Sequence, residues 1–468
     1  MLISGGLMSQ WINNECSSTA FGDKRLKDRY ISILEHQSGM PSESIPASCG
    51  GWSETLATYR FLNNDRVTYQ NVLKGHKSAS KERMSKSDIV LAIQDTTSID
   101  YTNHRSSEKL GHLESSNHRG IFLHPTLAVT PSRVNLGVIS TEMWTRDLST
   151  IGKKTQRKTT PIELKESNRW LNSYRETNKL AQEIPDTKFI NIGDRESDIY
   201  ELFVLATNEN SKAQLIVRAG QNRRIALENN ETSRLWSTLE ESEELGIKSL
   251  PVIQTVHHQS RNAELSLKVK QVTLKAPHRN GEKLSDLQIF AVLAVEKNPP
   301  DIEDRIEWLL LTTLDVSNLS EAFQILDYYT CRWQIEMYFR ILKGGCKIEK
   351  LQLSEPETVM NAIAIYMVIS WRIQYLLMLG RACPNLPSEL LFSMDEINSI
   401  FIARDKPIPD KPPTLNEMIT SISTLGGYLN RKCDQDPGVK VFWIGLTKLA
   451  NYAFMYNKMT NKKNVYNR

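Results

Sequence analysis

Three carboxylates in this chain stand where chemistry at a phosphate would place them. Asp95 closes the apolar run IVLAIQD, Asp194 closes FINIGD, and Glu336 lies within YYTCRWQIEMYFRILKGG, residues 328–345. Short apolar runs of this kind read as buried strands. A strand end is a rigid platform at a sheet rim, from which neighbouring strands can aim two carboxylates at one cation. Mg²⁺ takes such hard oxygen ligands and keeps positions for water and phosphate oxygens. A third carboxylate from an adjacent helix completes a pair of metal sites about 3.5–4 Å apart, suited to in-line displacement at phosphorus. Spacing alone carries this weakly. An aspartate after a strand is also a common turn residue, and Glu196 and Asp198 in GDRESD stand close enough to Asp194 to replace it.

The segment around Glu336 sharpens the pattern. Wound as an α-helix at about 100° per residue, it brings Tyr329, Arg332, Glu336 and Lys343 into an arc of roughly 60°, with Arg340 just beside it. Most of the remaining circumference is Trp333, Ile335, Met337, Tyr338, Phe339, Ile341 and Leu342. A helix so apolar belongs in an interior, so its charged stripe is expected to face a cleft, with Gly344-Gly345 ending it. Ion pairing of Arg332 and Arg340 with Glu336 explains charges worth a few tenths of a kcal/mol. It leaves Tyr329 and Lys343 unexplained. Cations beside a metal carboxylate become sensible when DNA lies between them, because phosphate takes Arg through a planar fork and Lys as a point charge.

The elements that must carry these residues are legible in outline. Residues 1 to about 75 read as helical, with the basic stretches DKRLKDR (23–29) and ATYRFLNNDR (57–66), where a salt-bridged, solvated face is as good an account as a DNA contact. From 88 the pattern is strand-like: DIVLAIQD, then two runs in LHPTLAVTPSRVNLGVISTEMW about a Pro-Ser-Arg-Val-Asn turn, an antiparallel hairpin. An amphipathic helix over 161–183, the strand KFINIGD, a helix and the strand AQLIVRAG follow, which describes an α/β domain with a mixed sheet. Between about 220 and 305 AELSLKVKQVTLK alternates and the helical pattern vanishes, a β-rich insertion leading through LQIFAVLAVE to IEWLLLTTL. Helical patterns return after 380 around ARDKPIPDKPPT, whose prolines prevent regular structure.

Composition sets the limits. The length of 468 residues leaves room for roughly two or three domains. A net charge of +4 permits a polyanionic partner without arguing for one. The six cysteines show neither C-x-x-C pairing nor histidines at zinc spacing, which fits reduced thiols in a cytosolic protein. The start, MLISGGLMSQWINNE, lacks the basic and apolar regions of a signal peptide. The apolar stretch 362–379 carries Arg372 and Gln374 near its middle. A central arginine costs about 2.5–3.5 kcal/mol in a bilayer, so this stretch is expected to be a buried helix, with no membrane partner.

The spacing Y-x-x-R-x-x-x-E-x-x-x-x-x-x-K, here Tyr329, Arg332, Glu336 and Lys343, resembles the Tyr-Arg-Glu-Lys motif of the IS-four family of bacterial DDE cut-and-paste transposases. FGDKRLKDR, YRFL, IQDTTS, RGIFLHPTLAV, DRESDIY, LIVR, EWLLLT and TLGGYLNRK extend the likeness over nearly the whole chain. The resemblance implies a helical N-terminal domain over 1–75 that binds transposon ends, an RNase H-like catalytic domain over 76–375 with its insertion at about 220–305, and a helical dimerisation and synapsis domain over 376–468. It implies that Asp95, Asp194 and Glu336 are catalytic and bind Mg²⁺ or Mn²⁺, two ions per active site. Tyr329, Arg332, Lys343, Arg340 and Arg218 become DNA contacts, with Arg25 and Arg60 serving the N-terminal domain. Trp308 resembles a tryptophan that stacks on a flipped nucleotide during hairpin formation; without the resemblance, ordinary strand packing beside Leu309 to Leu311 is the preferred reading. The implied activity is cleavage of terminal inverted repeats in double-stranded DNA and joining to a target, by a homodimer in the bacterial cytoplasm at the nucleoid. Two alternatives remain at this point: a DNA-binding or inhibitory protein that does not cut, and a nuclease without strand transfer.

Overall fold

The structure, a computed structural model, describes residues 8–104, 107–148, 160–227, 231–252, 260–278, 284–301 and 304–466, with residues 8–9 and 461–466 described by backbone alone. Residues 1–7, which open the stretch read as lacking a leader, lie outside them. Five helices come first: α1 (Met8–Cys16), α2 (Lys24–Gly39), α3 (Ile45–Cys49), α4 (Trp52–Leu62) and α5 (Tyr69–Met84). Asp23, Ser44 and Thr68 each accept a backbone N–H at the head of α2, α3 and α5, satisfying a donor that the helix itself leaves open. Phe21, Tyr30 and Phe61 form the aromatic centre of this unit. The helical run continues to Met84, beyond the expected 75.

The sheet begins with β1 (Ile89–Gln94), β2 (Thr97–Asp100), β3 (Gly120–Val129) and β4 (Asn135–Trp144). The hairpin of β3 and β4 turns where expected, with Arg133 at φ 70°. After α6 (Asn168–Glu183) come β5 (Lys188–Gly193), α7 (Tyr200–Ala206) and β6 (Gln214–Arg218). β1 pairs antiparallel with β3 and parallel with β5, and β5 pairs parallel with β6. The order β4-β3-β1-β5-β6 is that of an RNase H-like domain. Leu91 and Ile93 enter one core while Val90 and Ala92 enter the other. Both faces of β1 are therefore covered, which is why its sequence is apolar without a break. β2, not singled out from the sequence, continues along β3 after the chain has turned at Asp95 and Thr96.

The insertion comprises β7 (Arg224–Ala226), β8 (Thr232–Arg234), α8 (Leu235–Glu240), β9 (Gly246–Val252), β10 (Arg261–Leu274) and β11 (Leu287–Glu296), and returns through β12 (Glu307–Thr312). β12 lies antiparallel between β6 and β11, so among the described residues the insertion extends the catalytic sheet to twelve strands. α8 is a short helix within a stretch read as free of helices.

The segment expected to be one helix is broken. α9 (Leu319–Thr330) ends before Cys331 and Arg332, α10 (Trp333–Arg340) restarts the path, and a π-helical turn, Ile341–Gly345, closes it at the expected glycines. Cys331 and Arg332 keep right-handed helical dihedrals across the break, and Arg332 still reaches Glu336 one turn on, as the expected stripe requires. α11 (Pro356–Ala382) contains the apolar stretch, and 83% of its most apolar window is buried inside the protein. Arg372 on it donates to the Leu391 carbonyl at 2.8 Å. α12 (Met394–Ala403), α13 (Leu415–Leu425) and α14 (Val439–Tyr466) complete the chain, with 406–413 irregular as the prolines require.

Candidate active site

Because β1, β5 and β6 are parallel neighbours, their C-terminal ends share one rim, and Asp95, Asp194 and Arg218 stand there in adjacent lanes. Asp95 accepts the Thr96 N–H at 2.7 Å and Asp194 accepts the Glu196 N–H at 2.9 Å, so each carboxylate is held by its own turn. Burial, and then the charge of Asp194, push the Asp95 carboxyl up to about 7 against the opposing pull of Arg332. Two carboxylates that repel each other in a half-buried site suit a divalent cation, and the donors are all hard oxygens.

The other acidic residues of GDRESD are engaged elsewhere. Asp198 is buried and accepts from the Gly220 and Gln221 N–H groups, at 2.8 Å each, and from Arg223 at 2.6 Å. Glu196 is exposed and pairs with Arg169 at 2.8 Å.

Arg332, at the break between α9 and α10, donates to Asp95 at 3.1 Å and to Glu336 at 2.9 Å. Burial would lower its affinity for a proton, but Tyr329, Asp95, Glu336 and Asp194 together raise it. Among the described residues no three acidic, histidine or cysteine side chains enclose an ion-sized space. The guanidinium occupies the position between Asp95 and Glu336. Its Nε is buried with no hydrogen-bond partner, a donor that lacks an acceptor.

Tyr329, on the last turn of α9, is buried with the Arg332 guanidinium 6.0 Å from its ring centre, and burial raises its hydroxyl against the pull of Arg332 and Arg218. Arg218 also donates to the Glu307 carbonyl at 3.1 Å, and burial lowers it. Trp308, near the start of β12 at the same rim, is only 6% exposed. Its ring meets Tyr329 edge-on at 5.4 Å and Trp333 at 5.9 Å. Trp333, read from the sequence only as part of the apolar surface, is 45% exposed and presents the open aromatic face here. At about 100° per residue Trp333 falls roughly 40° from Tyr329, next to the charged stripe, which is the signal that could have found it.

Lys343 lies in the π turn, donating to the Ser98 carbonyl at 2.5 Å and pairing with Glu349 at 3.5 Å. Arg340 is exposed on α10. Arg25 and Arg60 are exposed on α2 and α4, while Arg29 pairs with Glu54. The sequence reading did not single out Arg169, His124 and Gln94, which pack behind Asp95. They are scattered polar residues on α6, β3 and β1, and only the sheet order brings them together.

Family models match along the chain in three segments: a transposase DNA-binding domain at residues 8–67, a transposase DDE domain at 153–371 and a transposase Tn5 dimerisation domain at 368–460. A solved synaptic complex of piggyBac transposase with hairpin DNA is similar over 96% of this chain and 77% of that one, at 10% identity and a TM-score of 0.36, an overlap too loose to carry an argument. The three domain matches show a metal-dependent DNA transposase of DDE type, with DNA-binding and dimerisation domains flanking the catalytic one.

Proposed function

We propose that this chain of transposase DNA-binding, DDE and dimerisation domains excises and reinserts a bacterial insertion element, with Asp95, Asp194 and Glu336 as its catalytic, metal-holding carboxylates. The observation that carries this reading is the convergence of Asp95 and Asp194 at the ends of adjacent parallel strands, with Glu336 reached through the same Arg332. The all-oxygen donor set favours Mg²⁺ or Mn²⁺, two ions per site, which when bound would activate water and stabilise charge on the displaced oxygens.

Around these carboxylates, Arg332, Lys343, Arg218 and Arg340 grip phosphates of the cleaved end, and Tyr329 orients two of those arginines. Water nicks one strand at each inverted repeat. The freed 3′-OH attacks the opposite strand to give a hairpin, water reopens it, and the 3′-OH then attacks the target. Each step displaces an oxygen in line at phosphorus, so one site serves them all. Unpairing a nucleotide for the hairpin costs a few kcal/mol, and an aromatic face returns about 1–3 of them. Trp333 offers that face, with Trp308 packed edge-on against it. Arg25 and Arg60, within a DNA-binding domain over 1–75, contact the repeat, and the region 376–468 joins two copies in the synaptic complex. The work is done in the bacterial cytoplasm, on nucleoid DNA.

The test uses linear DNA bearing the element's own inverted ends. Asp95→Ala, Asp194→Ala and Glu336→Ala are each expected to abolish cleavage while leaving end binding intact. Full Mg²⁺-dependent cutting by any of them removes that residue from the assignment. Binding without cutting by the unaltered chain would identify an inhibitory protein, and cutting without joining a nuclease.

A further inference from the structure

We infer that Arg169, Thr96 and His124 are positioning residues that set the spacing of Asp95 and Asp194; the inference rests on the roles proposed above for those two aspartates. Arg169 Nε donates to Thr96 Oγ1 at 2.9 Å and Arg169 Nη2 donates to Glu196 Oε2 at 2.8 Å. Thr96 directly follows Asp95, and Glu196 supplies the N–H that holds Asp194. One guanidinium therefore ties the turns of both aspartates together.

From Thr96 the hydrogen bonds run inward through the sheet. The Thr96 hydroxyl meets His124 Nδ1 at 2.8 Å, and His124 Nε2 meets Gln94 Oε1 at 3.1 Å. Gln94 Nε2 donates to Asn191 Oδ1 at 2.6 Å, Asn191 Nδ2 to Thr177 Oγ1 at 3.2 Å, and Thr177 to the Ser173 carbonyl at 2.9 Å. An arginine only donates and a carbonyl only accepts, so the whole chain points one way and puts the imidazole proton on Nε2. His124, Gln94, Asn191 and Thr177 are completely buried, and the ring of His124 meets Trp170 edge-on at 4.7 Å.

Such a network is costly unless every member is paired, and when paired it specifies a single arrangement. This one spans β3, β1 and β5 and grips residues 94 and 96, one on each side of Asp95. Apolar packing alone would let these strand ends shift, and a misplacement of about 1 Å at a reacting centre can cost about 100-fold in rate.

Thr96→Val keeps the volume and removes the hydroxyl, and Thr96→Ser restores it. On duplexes taken from the DNA flanking the coding region, Thr96→Val is expected to lower single-turnover cleavage by about 10–100-fold without weakening duplex binding. It should also weaken Mn²⁺ binding to the protein–duplex complex, followed by electron paramagnetic resonance. Thr96→Ser should recover both. Arg169→Met, which keeps an unbranched side chain but removes its donors, should act like the valine variant and serves if that variant does not fold. Unaltered cleavage and Mn²⁺ binding in Thr96→Val or Arg169→Met overturns the inference, as does Thr96→Ser being equally impaired. Asp95→Asn, run alongside, separates the two levels: cleavage by that variant would overturn the role of Asp95 itself.

Discussion

Arg332 Nη1 donates to Asp95 Oδ2 at 3.1 Å, a contact between residues 237 positions apart in sequence. The same guanidinium reaches Glu336 at 2.9 Å, so one side chain neutralises two of the three carboxylates. Breaking a partly buried pair leaves uncompensated charge that a cation can answer. Arg332→Gln is therefore expected to tighten Mn²⁺ binding by the DNA-free protein several-fold at pH 8.5, measured by paramagnetic resonance, while reducing cleavage. Unchanged or weaker binding would show that the guanidinium does not compete with metal.

The raised Asp95 carboxyl, at about 7, gives a pH dependence of definite sign. Between its ordinary value near 4 and about 7 the folded chain keeps a proton that the unfolded chain has lost. Without metal or DNA, this group's contribution to stability is full below about pH 4 and falls as pH rises to about 7. Asp95→Asn removes that loss and should raise stability at pH 8 by about 1–3 kcal/mol, with little effect at pH 4, as measured by urea unfolding.

The two tryptophans at the rim should separate under truncation. Trp308→Ala opens a cavity beneath Tyr329 and should cost about 3–5 kcal/mol, whereas Trp333→Ala on the open face should leave unfolding nearly unchanged. If the exposed ring meets an unpaired nucleotide, Trp333→Ala will slow conversion of nicked ends to hairpins more than the first nick. Equal slowing of both steps would remove that role.

Within GDRESD, function and stability should fall on different aspartates. Asp198→Ala strands the partly buried Arg223 and two backbone N–H groups and should cost about 3–5 kcal/mol, seen as a lowered denaturation midpoint. Asp194→Ala should unfold close to the unaltered chain yet fail to cleave. Loss of stability at Asp194 but not at Asp198 would reverse the assignment.

Alternation, turn chemistry and apolar length were enough to locate β1, β3, β4, β5, β6 and β10–β12, because each depends on its own residues and their immediate neighbours. The hairpin at Pro131–Asn135, the glycine end at Gly345 and the burial of α11 follow for the same reason. What the sequence by itself determined is this set of elements and the positions of Asp95, Asp194 and Glu336 within them. The tertiary structure decided the rest. Parallel pairing of β1 with β5 brings the two aspartates to one rim, and the packing of α9 and α10 at that rim sets Arg332 between Asp95 and Glu336. Sheet order also makes one chain of hydrogen bonds out of Arg169, Thr96, His124, Gln94 and Asn191. Those outcomes depend on which distant segments share a core and on how buried polar groups find partners, energies that no local window of sequence contains.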